Sequence, residues 1–98
     1  YLEWAKKWAP ELNPLDSFVS GGYSNAIIVA DLLRRCGDLL TRENFMRQAT
    51  SLQGYTTPLT LPGVSLDTSP TDYLPYQTLR LQRFDGTSFK LIGDVIRE

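Results

Sequence analysis

The chain has 98 residues, 42 % of them hydrophobic and 21 % charged, and ten basic against eleven acidic side chains leave a net charge of −1. The charges are well mixed, with no basic patch to hold a phosphate backbone, and no apolar run approaches the ~20 residues of a membrane span. One cysteine and no histidine exclude an internal disulfide, a zinc site built on Cys36 alone, and Ser-His-Asp or Cys-His chemistry within this chain.

A chain of this size suffices for one small domain and buries only about 60–70 % of its unfolded surface. No leader-like run opens it, and Tyr1 in place of a methionine reads as the start of a processed product or of a piece of something longer. Residues 1–9 read as a short helix: Leu2, Ala5, Trp8 and Ala9 share a face, Trp4 and Trp8 are neighbours at i, i+4, and Pro10 and Pro14 break it. Two turns are not stable alone, so the helix must be the end of something longer or be docked on a partner, and both tryptophans are read as packing residues, with stacking on a ligand the alternative.

After a loop rich in Pro, Asn and Asp comes the strongest helical signal, ending at Cys36-Gly37. Ser17 is the expected N-cap. Tyr23, Ala26, Ile27, Ala30 and Leu33 mark one face, and Ile28, Val29 and Leu32 widen the stripe until the helix reads as buried on most sides. Asp31 precedes Arg34 and Arg35 in the favourable order for helical ion pairs. Gly37 is expected to stop the helix, with Cys36 a small packed residue. Gly21 and Gly22, each costing up to ~1 kcal/mol against alanine, point to close approach of a backbone or a ligand, or to a loose entry. They do not form a phosphate loop, since neither the Walker nor the dinucleotide spacing is present.

A third helix is expected from Arg42 to about Leu52, with Thr41 as N-cap and Gly54 as stop. Its capping box fails because Asn44 stands where Glu or Gln would be. The short connection makes the second and third helices packed neighbours. From Tyr55 to about Tyr76 the prolines allow only short edge-type strands, with turns at Pro62-Gly63 and at Ser69–Asp72. Asp67 and Asp72 are read as turn-forming carboxylates rather than a catalytic pair. Residues 77–98 read as a hairpin, turned by the two residues Asp85-Gly86, with a frayed or extended tail from Gly93 onward. Arg80 and Arg83 are expected to be solvated. Phe18 and Tyr23 flank the glycines, where core packing is the default reading and a ligand cleft the alternative.

Taken in order, the Trp-rich helix, Asp16-Ser-Phe-Val-x-x-Gly-Tyr-x-x-Ala26, the Cys36-Gly-Asp helix end, Leu40-Thr-Arg-Glu-Asn-x-Met46, Leu61-Pro-Gly-Val64, Thr68-Ser-Pro-Thr-Asp-Tyr-x-Pro75, and Arg83-Phe-Asp-Gly86 closing on Ile92-Gly-Asp-Val-Ile96 resemble the C-terminal part of the substrate-binding proteins of ABC transporters for branched-chain amino acids. The resemblance covers nearly the whole chain, and its specificity lies in the order of the pieces rather than in any one of them. It implies an α/β fold, the C-terminal fragment of a two-lobed type 1 periplasmic binding fold whose lobes are joined by crossing strands. Residues 1–54 would then be the helical part of the first lobe, 55–76 the extended crossing segment, and 77–98 a β-hairpin associated with the second lobe.

The implied function is extracytoplasmic, periplasmic capture of a branched-chain amino acid or related small carboxylate for delivery to an ABC permease, with no cofactor and no enzymatic step. A ligand-sensing regulatory domain of the same fold is the alternative. Most ligand-fixing residues of the family lie upstream. The resemblance carries over Phe18 as an apolar wall, and more weakly Ser20 and Tyr23. The apolar faces left uncovered predict self-association of the chain alone, by exchange of the hairpin or terminal helix, with ligand bound weakly or not at all.

Overall fold

The computed structural model describes residues 1–97. It is a small mixed α/β structure with three helices, α1 (Leu2–Trp8), α2 (Ser17–Cys36) and α3 (Arg42–Ala49), followed by strands β1 (Thr78–Phe84) and β2 (Phe89–Arg97) in a two-stranded antiparallel sheet. The described chain divides into two compact units. The first holds Tyr1–Gln48 with Thr57–Leu59, and the second holds Ala49–Thr56 with the described residues from Thr60 onward.

In the first unit, α1 has Glu3 in its first turn and Lys6 and Lys7 in its last, each charge complementing the helix dipole. It seats on its alanines: Ala5 and Ala9 are buried, while Leu2 and Trp8 of the expected face are 60 % and 67 % exposed. The Tyr1 hydroxyl donates to the Pro14 carbonyl at 2.9 Å and ties down the loop that follows.

The N-cap of α2 is Asp16 rather than Ser17, its Oδ1 accepting the Phe18 N–H at 2.8 Å. A carboxylate both satisfies an orphan donor and suits the positive helix end. Gly37 ends the helix at a φ of +57°, as expected, its N–H donating to the Arg34 carbonyl. Asp31 pairs with Arg34. The expectation of burial on most sides is overturned, since only Leu32 and Cys36 of α2 are buried and Val29 and Leu33 are nearly half exposed. The stripe was read correctly as apolar, but the described chain supplies too few neighbours to cover it.

Thr41 caps α3, accepting the Asn44 N–H at 3.2 Å. Asn44, which breaks the capping box, is buried, and its amide donates to the Cys36 carbonyl at 3.2 Å and the Leu39 carbonyl at 2.9 Å while accepting from Gln48. It joins α3 to the end of α2, so the two helices are neighbours at their junction.

In the second unit α3 stops at Ala49, short of Leu52. The Thr68 hydroxyl donates to the Ala49 carbonyl at 2.7 Å and accepts the Leu52 N–H at 3.0 Å, occupying groups that another helical turn would use. Gly54 is therefore not the helix stop; its N–H donates to Asp67 instead. Leu52, Val64 and Leu66 are the buried apolar residues here. Leu66 bridges Tyr55 on one side and Tyr76 on the other. These are single-residue bridges rather than the expected short strands, because Pro58, Pro62, Pro70 and Pro75 cannot donate to a ladder. Pro62-Gly63 forms its expected turn, with Val64 N–H donating to the Leu61 carbonyl and Gly63 at a φ of +83°.

The hairpin turn is longer than expected. Phe84 pairs with Phe89, leaving Asp85 to Ser88 as the loop. Asp85 Oδ1 accepts the N–H groups of both Thr87 and Ser88 at 2.9 Å, which draws two further residues out of the ladder. β2 then continues paired to Arg97, the extended form of the two tails expected, after a bulge opposite Leu79–Leu81 that contains Gly93 at a φ of +66°. Arg80 is not solvated as predicted. Its guanidinium donates to the Pro62 carbonyl at 3.1 Å and the Gly93 carbonyl at 3.3 Å, clasping the bulge to the turn. Arg83 is exposed.

Candidate functional site

The mouth of α2 holds the three residues singled out from sequence. Phe18, two residues past the Asp16 cap, is 90 % exposed. Ser20 is half-buried and donates its hydroxyl to the Ser17 carbonyl at 3.2 Å, one turn back. Tyr23 is half-buried, with its ring 4.8 Å from Trp4 and 5.0 Å from Tyr1 between centroids. At 100° per residue, Phe18 lies about 140° around the helix from Tyr23 and about 160° from Ser20. The helix therefore sets Ser20 and Tyr23 on adjoining faces and Phe18 on another, so the three do not form one wall within this chain.

Trp4 of α1 and Tyr23 wall a groove of about 340 Å³ along α2 that is also lined by Gly22, Ala26 and Ala30. The recurrence of small residues at every fourth position keeps this side of the helix shallow. A Cβ placed on Gly21 or Gly22 would meet nothing within 4 Å. Neither glycine is therefore explained by a close approach inside the chain.

A second groove of about 370 Å³ lies at the other end of α2, where it meets α3. Leu33 and Cys36 from α2, Leu40 from the connection, and Phe45 and Met46 from α3 line it, with Arg42 as its one charged residue. The apolar pattern of the sequence does not join Phe45 and Met46 to Leu33, because the joining depends on the bonds of Asn44. The failed capping box was the available signal, since a polar residue out of pattern on an amphipathic helix needs a partner elsewhere.

Two carboxylates are held below their ordinary range. The Ser65 hydroxyl and then the Gly54 N–H stabilise the charged form of Asp67, and the N–H groups of Ser88 and Thr87 do the same for Asp85. Asp72 accepts from the Leu74 N–H and the Gln77 amide. Asp72 and Asp85 thus serve turns, as expected of Asp72, whereas Asp67 departs from that expectation by holding the Gly54 N–H, distant in sequence, and the Ser65 hydroxyl. Among the described residues, no three His, Cys, Asp or Glu side chains gather where they would hold a metal ion, and no helix is long and apolar enough to cross a membrane. No known protein family, curated protein or solved structure matches this chain.

Proposed function

We propose that this chain is the C-terminal part of an extracytoplasmic solute-binding protein that captures a branched-chain amino acid or related small carboxylate and delivers it to an ABC permease. The observation that carries this reading is the ordered set of motifs from Asp16 to Ile96. The element order, three helices and then a bridged extended segment and a hairpin, agrees with what that resemblance implies. Leu79 and Leu81 of β1 are each more than half exposed, as a surface that continues into a larger molecule would be.

The mechanism is closure of two lobes on the ligand, with binding energy exchanged for hinge motion and no chemical step. Phe18 offers a large apolar surface to a ligand or to the facing lobe. Ser20 and Tyr23 contribute less, because each already has a partner within its own unit.

The test is calorimetric titration of the complete protein that contains this chain with aliphatic and aromatic amino acids and small carboxylates. One of them is expected to bind at micromolar or tighter affinity. Phe18→Ala is expected to weaken that binding about tenfold, the effect of exposing much of one buried aromatic side chain, with unfolding unchanged. A complete protein with no preceding lobe, or one that binds nothing in the panel, would overturn the reading.

A further inference from the structure

We propose that the groove between α2 and α3 binds a linear aliphatic monocarboxylate. The inference stands on the first unit alone and does not depend on the receptor reading, whose ligand region is the opposite end of α2. The groove's volume of about 370 Å³ falls at the small end of the ~300–1,000 Å³ usual for ligand pockets. Its lining is apolar side chain apart from Thr41 and Arg42, and Thr41 is already engaged in capping α3. That surface selects an extended apolar body and offers it no competing polar partner.

Arg42 supplies the head-group chemistry. It is exposed, and its guanidinium makes no hydrogen bond or ion pair with another described residue. Glu43 follows it in sequence but is not among the lining residues. A planar guanidinium beside an apolar trough matches a carboxylate that it can hold by paired N–H donation. A neutral alcohol of the same length would gain the apolar contact and lose the charged one.

Cys36 provides the reporter. It is the only cysteine in the chain, it is 6 % exposed, and it lines the groove. Its alkylation by iodoacetamide is followed on the 98-residue chain while decanoate is added below its micelle concentration, with decanol as the neutral comparator. Decanoate is expected to slow alkylation saturably. From hexanoate to decanoate the protection constant should tighten about fourfold per methylene. Arg42→Gln should weaken decanoate about tenfold and leave decanol unchanged, which also reports that the groove has kept its shape, while Arg42→Lys should recover part of the loss. Absence of protection would overturn the proposal. So would equal protection by decanol and decanoate with no response to Arg42→Gln, the behaviour of a non-selective apolar surface. Slowing that depends on protein concentration alone would overturn it as well, because a second copy would then be the occupant.

Discussion

The α2–α3 junction and the β1–β2 hairpin both have to close a turn and place apolar side chains near it. At the junction one buried amide, Asn44, bonds to the carbonyls of Cys36 and Leu39, and Cys36 is buried there although Leu33, Leu39, Leu40 and Met46 stay 45–68 % exposed. In the hairpin Asp85 closes the turn from an exposed position, and Leu79, Leu81, Phe84, Phe89 and Ile96 are 46–67 % exposed. The junction is fixed by polar bonds that tolerate no loss, whereas the hairpin has a satisfied backbone and an apolar face that nothing described covers. A short chain can satisfy its backbone locally far more cheaply than it can bury its side chains, because burial needs a second surface.

Substitutions at the junction should therefore cost most. Asn44→Leu removes the described partner of the Leu39 carbonyl and one of two donors to that of Cys36. It is expected to cost about 1–3 kcal/mol, read as a fall in Tm of about 4–8 °C per kcal/mol for a chain of this size. Asn44→Asp should be at least as harmful, since it sets an acceptor against two carbonyls. An unchanged Tm in both would erase the contrast between the regions.

Gly63 tests a place where the hairpin is held from outside its own ladder. A Cβ there would lie 2.6 Å from Val95 Cγ2 at a φ of +83°, so Gly63→Ala should cost about 1–3 kcal/mol through strain. Denaturant midpoints at constant m would measure it. Asp16→Ala, which removes only a cap, should cost about 1 kcal/mol. Helical signal lost on heating before the main transition would locate that cost at the start of α2.

The hairpin loop should be acid-sensitive, as should the Asp67 bonds to Ser65 and Gly54. Asp85 has a folded pKa below its ordinary value of 3.8, mainly through the Ser88 and Thr87 N–H groups. Its contribution is present at neutral pH, where the carboxylate is charged in both states. It fades only as the pH falls below 3.8 and through the lower folded value. Amide shifts of Thr87 and Ser88 should move in that window and not above it.

The smallest change in stability is expected from Leu79→Lys and Ile96→Lys, within about ±0.5 kcal/mol, because both side chains face solvent. Their effect should instead be on association: sedimentation at high protein concentration should find the parent chain self-associating and the double variant less so. A parent that stays monomeric would remove self-association from the account of the hairpin face.

The sequence by itself determined where the helices lie, where the turns at Gly37, Pro62-Gly63 and Ser69–Asp72 fall, and that a hairpin closes the chain. Apolar periodicity, proline and glycine act over a few residues and can be read in place. It did not determine that Asp85 would capture two N–H groups and lengthen the turn, that Thr68 would end α3, or that Arg80 would bridge Pro62 and Gly93. Each of those pairs a polar group with a backbone position chosen by the folding of intervening chain. The same holds for the candidate sites. Phe18 and Tyr23 were legible as residues, but their separation around α2 follows only once the helix is known to run unbroken from Ser17. The groove of Leu33, Phe45 and Met46 exists only because Asn44 bonds α3 to the end of α2. Tertiary structure decided these points because a hydrogen bond between distant residues leaves no period in the sequence.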